Sequence, residues 1–63
     1  MSELFARDED LERCQRSFIT KLPITITGLN TGGELSVFTG IVQRVETGQN
    51  RYDGYPLRVT ITK

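Results

Sequence analysis

The sequence contains no histidine and a single cysteine, and these two shortages remove several common kinds of site. With one thiol, Cys14, the chain cannot form an intramolecular disulfide, and it offers no paired Cys or His spacing for zinc. Without histidine, the commonest base that activates a Ser or Cys nucleophile is also missing. We therefore predict that the protein is not an enzyme and has no catalytic residues, no metal site and no cofactor.

Long apolar runs and an excess of one charge are missing as well. No stretch approaches the roughly 20 apolar residues that span a bilayer, and no N-terminal apolar run resembles a signal peptide. The eight basic and eight acidic residues balance, which argues against binding that rests mainly on neutralising phosphates. We expect no membrane partner, and we expect a soluble, cytoplasmic protein because a lone cysteine fits a reducing compartment.

The chain is also short for a domain that is stable by itself. Its 63 residues make one domain, 1–63, and a domain of this size buries only about 60% of the surface that its unfolded chain exposes. Neither a disulfide nor a metal is available to compensate. We predict that self-association supplies the missing burial, most simply as a homodimer.

The N-terminal third is typical of an amphipathic helix. Apolar residues recur at spacings of seven, three and four and fall along one stripe, which consists of Leu4, Leu11, Cys14 and Phe18. The firm helix is predicted at about 8–17, with acidic residues early and arginines late, the sense that suits the helix dipole. Residues 1–7 either fray or extend the helix and dock on the core. Cys14 is predicted to be a small core residue rather than a nucleophile.

Three later stretches alternate apolar and polar residues, which predicts strands at about 22–27, 35–47 and 55–62. The short connections between them favour an antiparallel meander. The predicted fold class is α+β, with the N-terminal helix packed on a three-stranded antiparallel β-meander that can curl toward a small SH3/Sm-like barrel. The predicted core face of the sheet consists of Leu22, Ile24, Ile26, Leu35, Val37, Ile41, Val45, Leu57, Val59 and Ile61.

The longest predicted strand contains an exception to its own alternation. Its odd positions are the more apolar, yet Phe38 and Val42 occupy even positions on either side of Gly40. A glycine inside a strand often marks a bulge or a bend. Two alternatives stay open: either Phe38 and Val42 lie on the outer face of the sheet, away from the core, or the sheet bends at Gly40 and turns them inward.

If they lie outside, Phe38 and Val42 form a candidate partner-binding surface with Arg44 and Arg58. Exposed apolar residues of this kind favour a protein partner or a second copy, and a dimer forms through two such faces or through two edges of the terminal strand Leu57–Ile61. An aromatic ring beside arginines also suits single-stranded nucleic acid, because rings stack on bases and guanidinium groups meet phosphates.

The run from Gly40 to Asn50 resembles the Sm-like RNA-binding family. The resemblance is carried by a glycine, two apolar residues, an acid and an asparagine: Gly40, Val42, Val45, Glu46 and Asn50. It covers about half of the chain and departs from the family at Glu46, where Asp is usual. It implies a ring-shaped oligomer that binds RNA near Glu46 and Asn50. Independently of the family, Arg51 and Tyr52 make this polar loop a candidate recognition loop.

These observations favour a small non-catalytic protein-binding or assembly module. The alternative is an Sm-like or single-stranded nucleic-acid-binding protein that uses the outer sheet face and the 47–55 loop. A salt-dependent titration with single-stranded RNA separates the two, because binding that weakens steeply with salt favours the second.

Overall fold

The computed structural model describes residues 2–48 and 51–62. It contains five strands and one α-helix: β1 (Ser2–Ala6), α1 (Leu11–Thr20), β2 (Ile24–Leu29), β3 (Leu35–Gly40), β4 (Val42–Glu46) and β5 (Leu57–Ile61). The strands form one antiparallel sheet in the order β3-β2-β1-β5-β4. The predicted α+β class, a helix with an antiparallel sheet, is confirmed. The predicted number of three strands is wrong, because the sheet has five.

The N-terminal segment is the largest departure from the sequence-based prediction. Residues 2–6 neither fray nor join the helix but form β1, the middle strand of the sheet. This strand pairs with β5 along its whole length and with β2 at Phe5 opposite Leu29. Leu4 and Ala6 are fully buried. The partners of β1 lie far away in the sequence, so tertiary pairing overrides the helical spacing of Leu4.

The helix begins and ends later than the spacing of its apolar residues predicts. Asp8–Asp10 form a single 3₁₀ turn, and α1 follows from Leu11 to Thr20. Lys21 ends the helix in the left-handed region at φ 62°, and its backbone N–H donates to the Ser17 carbonyl at 2.9 Å. Cys14 is fully buried as predicted, whereas Phe18, on the same stripe, is 45% exposed.

Strands β3 and β4 are one run of chain that bends sharply at Ile41. Gly40 permits the bend, because a Cβ atom at this position would lie 1.6 Å from the carbonyl oxygen of Thr62. At the bend, the Thr62 backbone N–H donates to the Ile41 carbonyl at 2.8 Å. Of the two alternatives for Phe38 and Val42, the bend with inward side chains is therefore correct: Val42 is fully buried, and Phe38 packs against the core.

A β-bulge between Val42 and Arg44 then changes which positions face the core. Val42 lies opposite Ile61, and Val45, only three residues later, lies opposite Val59. Both valines thus face inward although one has an even residue number and the other an odd one. This shift explains why no single alternation describes the whole stretch 35–47.

The sheet curls but is not closed into a barrel. Strands β3 and β4 stand at opposite ends of the strand order and yet are joined through one residue, Ile41. The two ends of the sheet must therefore approach each other at this residue. The predicted sheet edge at Leu57–Ile61 is wrong, because β5 lies between β1 and β4.

The core lies inside the curl, and α1 packs against β4 and β2 to cover it. Its buried members are Leu4, Ala6, Cys14, Ile26, Val42, Leu57, Val59 and Ile61. Three residues that the alternation predicts for the core, Leu22, Leu35 and Val37, are exposed instead. Leu22 precedes β2 and never enters the sheet, whereas Leu35 and Val37 lie on the face of β3 opposite to Phe38.

One buried polar side chain ties the helix to the bend. The Ser17 hydroxyl donates to the Leu22 carbonyl at 2.6 Å and accepts from the Val42 backbone N–H at 3.1 Å. Ser17 is 1% exposed. A buried hydroxyl needs such partners, because an unpaired one would cost about 1–3 kcal/mol. The two hydrogen bonds fix where α1 sits relative to β4.

Candidate functional site

Two large apolar side chains are exposed on the outer face of β3. Leu35 is 65% exposed and Val37 is 67% exposed. The register explains their position: Phe38 lies opposite the buried Ile26, so the residues on either side of Phe38 point away from the core. Val37 itself lies opposite Thr27. Leu35 lies opposite Leu29, so the direct neighbours of both side chains on β2 are uncharged.

The open side of β3 also carries backbone N–H and C=O groups that point away from β2. The Asn30 backbone N–H donates to the Glu34 carbonyl at 2.9 Å and continues the register of the β2–β3 pair. Even-numbered residues of β3 therefore direct their backbone groups toward β2. Leu35, Val37 and Thr39 direct theirs to the other side, where the sheet order places no strand. We refer to this open side, from Leu35 to Thr39, as the β3 edge.

The sequence of the β3 edge lacks the features that usually protect an edge strand, although Ser2 and Ile61 border the strand beside Val37 and Thr39. Natural edges carry charged side chains, proline, bulges or a covering element. The sequence of β3, LSVFTG, contains no charged residue and no proline, and its register with β2 is regular. Its exposed apolar residues alternate with half-buried ones along the strand. The edge is thus suited in shape and chemistry to accept another extended strand.

The opposite edge of the sheet, at β4, is protected. It contains the bulge between Val42 and Arg44, and the Arg44 Nε atom lies 3.3 Å from the Glu46 carboxylate. Helix α1 also packs against β4. A bulge and paired charges each hinder the addition of a strand. Within residues 2–48 and 51–62, the two edges of the sheet therefore differ, and the β3 edge has fewer protecting features than the β4 edge.

The four predicted partner-binding residues do not form one surface. Phe38 and Val42 face the core, as described above. Arg44 and Arg58 do lie on the outer face, where Arg44 is opposite Thr60 and Arg58 is opposite Glu46. The structure therefore keeps the two arginines together and separates them from the aromatic ring.

Each of these arginines lies beside a carboxylate. The Arg58 Nε atom donates to Glu3 at 2.8 Å, and this hydrogen bond raises the pKa of Arg58. Arg44 is paired with Glu46, as noted for β4. The positive charges on this part of the outer face are therefore balanced locally, which weakens the attraction for a phosphate backbone.

The predicted recognition loop is partly a structural element. The Tyr52 ring meets the Phe5 ring edge to face at 5.0 Å between centroids, and its hydroxyl donates to the Thr31 carbonyl at 2.9 Å. The Arg51 guanidinium lies 5.8 Å from the centre of the Phe5 ring. Glu46 belongs to the ion pair with Arg44, and Asn50 lies outside the described residues. Tyr52 and Arg51 thus cover Phe5 on the outer face.

A shallow groove of about 320 Å³ runs beside the 3₁₀ turn. Its charged residues come in pairs: Arg7 lies 3.4 Å from Glu9, and Arg13 lies 3.9 Å from Asp10. Arg13 also donates to the Thr25 carbonyl at 2.7 Å, on the side of β2 that faces away from β3. The groove is therefore neutral, and its arginines already have partners.

The thiol of Cys14 is poorly suited to nucleophilic chemistry. Burial raises the pKa of Cys14 to about 11, so the thiol stays protonated at neutral pH. Within residues 2–48 and 51–62, no group of three or more His, Cys, Asp or Glu side chains is placed to hold a metal ion. In the same part of the chain, no helix is long and apolar enough to cross a membrane.

Comparison with models of protein families, with curated proteins and with solved structures found no match to this chain. The residues of the β3 edge are the ones that sequence reasoning missed. Leu35 and Val37 follow the alternation of the longest predicted strand and are therefore assigned to its core face. The signal that could have found them is the even-numbered apolar series Phe38 and Val42 around Gly40, together with the absence of charge in LSVFTG.

Proposed function

We propose that the protein is a small, non-catalytic protein-binding or assembly module that accepts an extended strand at the β3 edge. The observation that carries the proposal is the unprotected state of this edge, with Leu35 and Val37 exposed on it and no charge or proline in the strand. A reducing, cytoplasmic setting belongs to the proposal, because a chain with a single cysteine suits a compartment in which disulfides are rare.

Strand addition supplies both affinity and selectivity. The main-chain groups of Leu35, Val37 and Thr39 can form ladder hydrogen bonds with an incoming strand, and alternate side chains of that strand would lie over Leu35 and Val37. A partner strand with small apolar or β-branched residues on one face fits this surface best. A strongly charged strand fits poorly, because its charges would lie beside apolar side chains.

The nucleic-acid alternative rests on Arg44 and Arg58, which are neighbours on the outer face. Phe38, the ring predicted to stack on a base, faces the core. The rings near Arg58 on the outer face are Phe5, which is buried, and Tyr52, which packs on Phe5. Both arginines also lie beside carboxylates. A titration with single-stranded RNA at stepwise salt concentrations tests it. Binding that weakens steeply with salt and disappears in the double variant Arg44→Ala, Arg58→Ala would favour this alternative over the protein-binding module.

The proposed function is tested by placing a charge on the β3 edge. Val37→Lys puts an ammonium group on the outer face beside the side chains of an incoming strand, and Thr27→Lys is the matched control on the same face, one strand further in. Tagged versions are expressed in cells that make the protein, and the size of the complexes is compared by gel filtration of the lysate. We expect the wild type and Thr27→Lys to elute in a complex and Val37→Lys to elute as a monomer. Identical elution of all three at monomer size contradicts the proposal.

A further inference from the structure

We propose that the strand accepted at the β3 edge is β3 of a second copy, paired antiparallel about a two-fold axis at Val37. The inference rests on the proposed function, because it names the occupant of the same edge. It follows from three features of the edge: its backbone register, its lack of charge and its relation to the opposite edge of the sheet.

The backbone register allows the strand to pair with itself. Val37 directs its N–H and C=O to the open side, so the Val37 residues of two copies can exchange both hydrogen bonds across the axis. The same register places Leu35 of each copy opposite Thr39 of the other. Thr39 is exposed, and its hydroxyl lies 3.2 Å from the Thr25 hydroxyl on β2. On the core-facing side, Ser36 lies opposite Phe38, a small residue against a large one.

The absence of charge matters more for self-pairing than for pairing with another protein. A residue on a two-fold axis faces its own copy, so any charge at that position would face a like charge. No residue of LSVFTG carries a charge, and the exposed residues next to it on β2, Thr25 and Thr27, are neutral. Within β3 itself, no like charges would therefore meet across the axis.

The opposite edge explains why two copies would join through β3 alone. Pairing β3 of one copy with β4 of the next would leave a free edge at each end and produce an open filament. The bulge and the Arg44–Glu46 pair hinder that contact. Pairing β3 with β3 joins two sheets into one and covers both unprotected edges in a single closed dimer.

The two-fold axis at Val37 can be tested by disulfide formation. Two residues in a hydrogen-bonded antiparallel pair have their Cα atoms about 5.5 Å apart, within the range that a disulfide spans. We expect Val37→Cys, treated with oxidised glutathione, to form a covalent dimer seen on a non-reducing gel. The native Cys14 is buried and does not compete. Thr27→Cys is the matched control: it lies one strand further from the axis in each copy, about 14 Å from its equivalent, so its yield of dimer should be at least tenfold lower.

Mass in solution completes the test. Light scattering across a concentration series should give a dimer for the wild type and for Thr27→Lys, and a dissociation constant at least tenfold higher for Val37→Lys. A wild type that stays monomeric at high micromolar concentration overturns the second copy as partner. A wild-type dimer without a Val37→Cys crosslink overturns the axis. If the purified protein is monomeric but a lysate complex is lost in Val37→Lys, the proposed function stands and only this inference fails.

Discussion

Gly40→Ala should be the most damaging single-methyl change among the glycines of the sheet. The added Cβ would lie 1.6 Å from the Thr62 carbonyl oxygen and 2.8 Å from its carbonyl carbon. Both are backbone atoms, which cannot rotate away as a side chain can. Gly40 has no left-handed backbone angle, so the effect comes from the steric overlap and not from strain in the residue itself. Thr62 would have to move by more than 1 Å, and the end of β5 would separate from the bend.

The expected loss is a large part of the stability of so small a domain. Separation removes the hydrogen bond from Thr62 N–H to the Ile41 carbonyl, worth about 1 kcal/mol. It also exposes part of Ile61, which is 2% exposed and whose full burial is worth about 1.5–3 kcal/mol. The sum is about 2–4 kcal/mol. A domain of 63 residues is expected to have a total stability of about 3–9 kcal/mol.

Urea denaturation followed by circular dichroism measures this loss as a change in the free energy of unfolding. Gly32→Ala is the control, because its added Cβ would meet only side-chain atoms, Asn30 Oδ1 at 3.3 Å and Glu34 Oε1 at 4.0 Å, and Gly32 has no positive φ. We expect the control to stay within about 0.5 kcal/mol of the wild type. If Gly40→Ala unfolds at the same urea concentration as Gly32→Ala, the close contact between the bend and Thr62 does not exist as described.

Two further predictions separate core residues from surface residues. Phe38→Ser should lower the free energy of unfolding by about 2–4 kcal/mol, because Phe38 packs against the core opposite Ile26. Urea denaturation measures this loss. An unchanged midpoint would show that Phe38 does not pack against the core. The second concerns pH: the folded-state pKa of Cys14 is raised from 9.0 to about 11, so its contribution to stability is fully present below about pH 9 and is lost as the pH rises toward 11. Cys14→Ala should therefore lose less stability than the wild type between pH 9 and 11 in thermal unfolding, and equal losses would show that the thiol is not buried.

Local patterns predicted the parts of the fold that depend on nearby residues. The helix follows from the spacing of Leu11, Cys14 and Phe18, and the alternation in β2 and β5 identifies the inward positions of Ile26, Val59 and Ile61. The positions of these residues can be predicted because one face of each element is buried and the other is exposed to solvent. The α+β class needed nothing beyond this.

The β1 strand could not be predicted in this way. Its five residues, SELFA, are too few to establish an alternation, and Leu4 fits the helical spacing equally well. The strand exists because β5 and β2 supply pairing partners on both of its sides. Those partners lie more than twenty residues away, so the local sequence pattern does not indicate them.

The pattern of apolar residues limits which side chains can be buried, and contacts between distant segments select the ones that are. Gly40 permits a bend, but only the close approach of Thr62 makes the bend necessary, and the bend reverses the assignment of Phe38 and Leu35. The identity of the edge strands depends on the insertion of β1 between β2 and β5, which moves β5 into the interior and leaves β3 at the edge. Alternation gives the two faces of a strand, whereas strand order depends on contacts between distant segments, which the pattern within a strand does not encode.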